Sequence, residues 1–174
     1  MKFVPKLKHL VFFSVIGFVI CFDQLTKQYI IAHFKFQESL PVINDFFSIT
    51  YVRNTGAAFG ILSTWDPAYR IPFFIVVPLI ALGFVWYLFR QIKETDILGA
   101  TVLAAIVGGA IGNLIDRVVY NYVIDFLDFY WGILGPHFPA FNVADIAICI
   151  GVFFLMIDSY IIEKRSQKDA SHSN

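Results

Sequence analysis

The sequence predicts an all-α integral membrane protein of four transmembrane helices, with a small extracytoplasmic β-sheet and an extracytoplasmic loop between helices three and four. Two observations carry that prediction. Mean hydropathy is +0.70, and 58% of the 174 residues are hydrophobic against 15% charged, which is too apolar for a soluble domain of this length. The apolar residues also gather into four runs long enough to cross about 30 Å of hydrocarbon, which takes roughly 20 residues of helix. Such runs become helices because a helix satisfies its own backbone hydrogen bonds where there is no water.

The first helix is expected from about residue 10 to residue 34, interrupted by Asp23 and Lys27. These two stand four residues apart on one helix face, where they neutralise each other. A basic start before an apolar run also occurs in cleavable signal sequences. Here Leu10 to Phe22 leads straight into Asp23-Gln24-Leu25-Thr26-Lys27 with no small-residue cleavage site, so the helix is read as retained. Between helices one and two, Phe46 to Val52 is aromatic and β-branched and lies between Asn44-Asp45 and Asn54-Thr55-Gly56, which predicts a strand. The second helix, about 71–89, carries no charge and is bracketed by Arg70 and Arg90; Pro72 and Pro78 predict a modest kink.

The third helix, about 97–115, is also uncharged, and Gly108, Gly109 and Gly112 give it a small-residue face for close packing. Residues 116–140 read as a loop rich in aromatics, broken by Gly and Pro and expected at the lipid headgroups. The fourth helix, about 141–162, has Asp145 near its start and Asp158 near its end; Asp158 is expected to reach the cytoplasmic interface or pair with a cation. Residues 1–165 are therefore one membrane-embedded domain, and the polar segment 166–174 is expected to be a disordered cytoplasmic tail.

Net charge is zero, which removes any global argument for a nucleic-acid partner. Charge distribution is more informative. Lys2, Lys6, Lys8, Arg90, Lys93, Lys164, Arg165 and Lys168 fall on one side of the four helices. The two longer loops carry only Lys35, Arg53, Arg70 and Arg117. The positive-inside rule then puts both termini in the cytoplasm and the long loops outside. Cys21 and Cys149 lie within apolar runs and imply no disulfide framework.

Ionisable groups at bilayer depth cost about 2.5–3.5 kcal/mol each, so those present are paired or functional. Helices three and four are antiparallel neighbours, which brings Asp116, Asp125, Asp128 and Asp145 to one membrane level. Asn142 and Asp145 also have the spacing of a capping box, with Asn142 as N-cap and Asp145 at N3. Two carboxyls in a water-excluded site share a proton, one acting as base toward water while the other donates to a carbonyl; that is aspartic-protease chemistry. His33 and His137 read as isolated, no Cys/His cluster has metal-ligand spacing, and no Ser or Thr sits in a nucleophile elbow. Spacing alone leaves open which two of the four Asp form the pair. An ion relay through Asp23, Lys27 and Asp145 competes, although no internal repeat supports a transporter; so does a scaffold in which every Asp caps or pairs.

Five blocks read in order narrow the choice: Asp23-Gln24-Leu25-Thr26-Lys27, Arg53-Asn54-Thr55-Gly56-Ala57-Ala58-Phe59-Gly60, Gly108 through Arg117, Val123-Ile124-Asp125-Phe126, and Phe141-Asn142-Val143-Ala144-Asp145. Together they closely resemble the lipoprotein signal peptidase family, also called signal peptidase II, over nearly the whole chain. The resemblance implies a membrane aspartic endopeptidase that removes the signal peptide of bacterial prolipoproteins before a diacylglyceryl-modified cysteine. It implies Asp125 and Asp145 as the catalytic dyad and Asn54 and Arg117 as contacts to substrate or oxyanion. Asp23, Lys27, Gly56, Asn113, Asp116 and Asn142 then frame the site.

No metal or organic cofactor is implied. The partners are lipid-modified prolipoproteins and membrane lipid, the protein is expected to be a monomer of the bacterial inner membrane, and the site is expected near its outer surface. Asn121 departs from a family position often held by glycine, and Asn tolerates positive φ better than most residues. Because Asp145 falls in a first helical turn, where free N–H groups and the helix dipole favour negative charge, the shared proton is expected mostly on Asp125.

Overall fold

α3 (Ile97–Tyr120) packs against the other three helices, α1 (Leu7–His33), α2 (Pro67–Gln91) and α4 (Val143–His172). The computed structural model describes residues 7–57, 61–132 and 135–172, with side chains in α4 described as far as Ile157. α3 can sit centrally because it is uncharged through most of its length and its glycines remove bulk at the crossings. Gly109 faces the Ala144 carbonyl of α4, and Gly112 faces Asp23 of α1 and Ala144. The close approach expected of this face is thus made to two helices at once.

α1, α2 and α3 are long and apolar enough to cross a membrane, whereas the described apolar part of α4, Val143–Ile157, is shorter. Their outward residues form an apolar band, with Phe13, Phe18 and Leu25 on α1 and Val76, Ile80 and Phe84 on α2 all exposed. Exposed apolar surface of that extent marks contact with lipid.

Helix ends differ from the sequence boundaries for identifiable reasons. α2 begins at Pro67, because Asp66 caps it by accepting the Ala68 N–H at 2.8 Å and proline suits the first turn. α3 extends past Ile115 to Tyr120, taking in Asp116 and Arg117. It ends where Asn121 adopts φ +64°, the left-handed conformation its side chain tolerates. α4 is helical to His172, past Ser166, where composition predicts a disordered tail; lengthening an existing helix needs no new nucleus. Asp158 lies outside the described side chains. At the opposite end of the bundle, the buried Lys8 ammonium donates to the Phe89 carbonyl (3.3 Å) and the Ile92 carbonyl (3.0 Å), which tethers the start of α1 to the end of α2.

The sheet has three antiparallel strands in the order β1 (Ser39–Ile43), β2 (Phe47–Asn54), β3 (Val123–Phe129). β2 is the strand expected at 46–52. β3 corrects the reading of 116–140 as a loop. Five of its seven residues are buried, drawn from both faces, so the polar and apolar alternation that reveals a half-buried strand is absent. Its Ile124 and Phe126 pack with Tyr51 of β2 and Ile30 of α1. A second apolar cluster, including Phe12, Phe89, Leu103 and Val107, fills the bundle farther from the sheet. Along α1, Asp23 and Lys27 fall between Phe12 of one cluster and Ile30 of the other.

Candidate active site

Lys27 is fully buried, and its three N–H groups have three acceptors: Asp23 Oδ2 at 2.8 Å, Asp116 Oδ2 at 2.8 Å and Asn113 Oδ1 at 2.9 Å. Only such complete pairing makes a buried ammonium tolerable. The same carboxylates place the next elements. Asp23 Oδ1 accepts the Ala144 N–H in the first turn of α4 (2.9 Å), and Asp116 Oδ2 accepts the Ile124 N–H of β3 (3.1 Å). Gln24 closes the cluster by donating to Asp116 Oδ1 (3.0 Å) and the Gly112 carbonyl (3.1 Å). In the sequence Gln24 is only a polar residue beside Asp23, and its partners on α3 lie far along the chain.

On this platform stands the capping box expected from spacing. The Asp145 N–H donates to Asn142 Oδ1 (3.0 Å) and the Asn142 N–H to Asp145 Oδ2 (3.2 Å). Asn113 Nδ2 donates to Asp145 Oδ1 at 2.7 Å, and Asn142 Nδ2 donates to Asp125 Oδ1 at 2.7 Å. Asn142 therefore touches both carboxyls, and Asn113 and Asn142 are themselves joined at 3.1 Å. Asn54 Nδ2, from the end of β2, donates to Asp125 Oδ2 at 3.0 Å. Asp125 is almost fully buried, whereas Asp145 is half-buried. Burial, reinforced by the negative charge of Asp145, pushes the Asp125 carboxyl up to about 7, against the opposing hydrogen bonds from Asn54 and Asn142.

The Asn54-Thr55-Gly56 turn is held beside this pair. Its Gly56 N–H donates to Asn54 Oδ1 (2.9 Å), and Arg117 Nη2 donates to the Gly56 carbonyl (3.3 Å) while its guanidinium lies 5.0 Å from the Phe74 ring centre. Asn54, Gly56, Asn113, Asp116, Arg117, Asp125, Asn142 and Asp145 thus converge, with Asp23 and Lys27 beneath them. Asp128 does not join. Its oxygens accept Thr50 Oγ1 (2.9 Å) and face His137 Nδ1 (2.9 Å) on the sheet. His137, expected to be isolated, is not, because the chain folds back after β3 and stacks it on Tyr130. His33 likewise stacks on Tyr29, and its Nδ1 lies 2.9 Å from the Tyr29 carbonyl oxygen.

An apolar helical body bearing a small sheet, with two carboxyls brought together between a strand and a helix N-terminus, defines a membrane enzyme equipped for acid–base chemistry. The chain belongs to the signal peptidase II family: the family described as Signal peptidase (SPase) II matches residues 15–161. It is 46% identical to the lipoprotein signal peptidase of Syntrophus aciditrophicus over 91% of this chain and 96% of that one. It is 48% identical to that of Geobacter sulfurreducens over 89% and 94%. A solved bacterial membrane enzyme, 36% identical, superposes over 90% of both chains with a TM-score of 0.76. The protein is accordingly a peptidase, and the relay and scaffold readings give way.

Proposed function

We propose that this chain is the membrane aspartic endopeptidase that removes signal peptides from bacterial prolipoproteins by cleaving before the diacylglyceryl-modified cysteine, with Asp125 and Asp145 as its catalytic dyad. The observation that carries the reading is the bridge Asp125–Asn142–Asp145, in which one residue serves both carboxyls, its side-chain amide donating to Asp125 and its backbone N–H to Asp145. Asp145 accepts N–H groups from Asn142 and Asn113 at the third position of α4 and is the ionised member. Asp125, desolvated, is the protonated one.

In the reaction Asp145 removes a proton from water, the resulting hydroxide adds to the scissile carbonyl carbon, and Asp125 donates its proton to the carbonyl oxygen. Collapse of the tetrahedral intermediate breaks the C–N bond. The amine nitrogen takes the proton held on Asp145, and Asp125 recovers its own from the intermediate's hydroxyl. In this reading Asn54 and Arg117 contact the substrate backbone or the developing oxyanion.

A lipid-modified substrate suits this placement, because its acyl chains confine the scissile bond to the bilayer surface. We further read α4 as a fourth span within a single domain of residues 1–165. The protein is a monomer in the inner membrane, with cytoplasmic termini and the dyad near the outer surface.

The test is cleavage of a lipid-modified precursor by the purified chain in detergent. Asp125→Asn and Asp145→Asn should each lower kcat by about 10²–10⁴-fold or more with unchanged thermal unfolding, while Asp128→Asn keeps most of the turnover. Substantial activity in either dyad variant would falsify the assignment.

A further inference from the structure

Most side chains that meet around the dyad can reverse their hydrogen bonds. A carboxyl donates or accepts according to its proton, and an amide presents either its oxygen or its NH2 when turned over. An ammonium cannot reverse, because it has three donors and no acceptor. Lys27 sets such a group at the head of a short chain to the base: Nζ donates to Asn113 Oδ1 at 2.9 Å, and Asn113 Nδ2 donates to Asp145 Oδ1 at 2.7 Å. Lys27 and Asn113 are both buried, where a charge-assisted bond is strong and polarises the amide that accepts it. Asn142 Nδ2 also donates to Asn113 Oδ1, at 3.1 Å, but its two protons are divided among that oxygen, Asp125 Oδ1 at 2.7 Å and the Ile124 carbonyl at 3.3 Å. Lys27 has a proton for each of its acceptors, the other two being Asp23 Oδ2 and Asp116 Oδ2. Turned over, Asn113 would set its NH2 against the ammonium and its oxygen against the Asp145 carboxylate, two repulsions in place of two bonds.

Resting on the proposed function, we infer that Lys27 is a positioning residue for catalysis: its bond to Asn113 fixes the direction of the Lys27–Asn113–Asp145 chain. Asp145 then meets a donor on each oxygen, Asn113 Nδ2 on Oδ1 and the Asn142 N–H on Oδ2, and is held in one orientation as the base. Lys27 acts at one remove, through an amide. Its bonds to Asp23 and Asp116 have a separate, structural task, since those carboxylates place Ala144 of α4 and Ile124 of β3.

The experiment is a double-mutant cycle on kcat, using the purified full chain and a synthetic lipid-modified precursor, with Lys27→Gln, Asn113→Ala and the two combined. Glutamine still donates to the neighbouring carboxylates, but it has no charge and accepts as readily as it donates. Lys27→Gln alone should lower kcat about tenfold or more while KM changes less than about threefold, as expected when a catalytic group rather than substrate binding is disturbed. In the Asn113→Ala background the same change should lower kcat less than about threefold, because the link through which Lys27 acts is already gone. A purely structural Lys27, acting through Asp23 and Asp116, would lower kcat by the same factor in both backgrounds, and that result overturns the inference. So does a Lys27→Gln protein with the kcat of wild type. Thermal unfolding checks that the proteins compared are folded. Should Lys27→Gln not fold, Asn113→Asp decides, because aspartate keeps the pairing with Lys27 yet offers no N–H to ionised Asp145. A folded Asn113→Asp protein with kcat at least about tenfold lower upholds the chain, and one near wild type overturns it. An Asp145→Asn protein that retains turnover would instead overturn the proposed function on which the inference rests.

Discussion

Asn142 caps α4, donates to Asp125 and meets Asn113, so one side chain couples the start of a helix to the ionisation of a strand residue. The pH dependence follows from Asp125, whose carboxyl lies near 7. The proposed mechanism uses its protonated form, so kcat/KM should fall as pH rises through about 7, the pair titrating as a unit. Stability has the same sign. An unfolded carboxyl titrates near 4, so the contribution from Asp125 is fully present below about pH 4 and is lost as pH rises to about 7. The Asn54 hydrogen bond favours the ionised carboxyl. Asn54→Ala should therefore move the alkaline limb of the kcat/KM profile upward, whatever it does to the maximum; a limb that stays or moves down contradicts the assignment. Spacing alone was enough to read the capping box and the Asp23–Lys27 pair, since both are local. It was not enough to separate Asp125 from Asp128, because that distinction depends on Asn54, Thr50 and His137, which reach them only through strand pairing and a chain reversal.

Among the elements, the four helices were legible as apolar runs and β2 as an aromatic, β-branched run between turn residues, whereas β3 was hidden by burial on both faces. Helix packing offers a direct contrast between two glycines. A methyl group at Gly109 would meet the Ala144 backbone carbonyl, which cannot swing aside as a side chain would, while one at Gly17 meets nothing within 4 Å. Gly109→Ala should lower the thermal midpoint by an amount corresponding to about 1–3 kcal/mol. It should also lower activity, because the displaced turn of α4 carries Asp145. Gly17→Ala should be neutral or stabilising by up to about 1 kcal/mol, the usual gain from replacing glycine within a helix. Thermal unfolding of both variants in the same detergent checks the pair, and equal effects would mean that α3 and α4 are not this close.

At the scale of the whole molecule, the pairing of β2 with β3 joins the α1–α2 connection to the α3–α4 connection, so both lie at one end of the bundle. Lys8 joins the start of α1 to the end of α2 at the other end. Three helices long and apolar enough to span, together with these two ties, predict that the sheet end and the Lys8 end lie at opposite membrane faces. Lys8, Arg90 and Lys93 crowd the second end, and the positive-inside rule predicts that this end faces the cytoplasm. Ser63 belongs to the sheet end, since its carbonyl accepts from Arg70 at the start of α2, and Gln91 closes the same helix at the Lys8 end. With the free Cys21 and Cys149 replaced by serine, a cysteine at Ser63 should react with a membrane-impermeant maleimide added outside intact spheroplasts. A cysteine at Gln91 should react only after permeabilisation. Labelling of Ser63→Cys from the cytoplasmic side alone would invert the protein in the membrane and move the dyad away from the surface where a lipid-anchored, exported precursor presents its scissile bond.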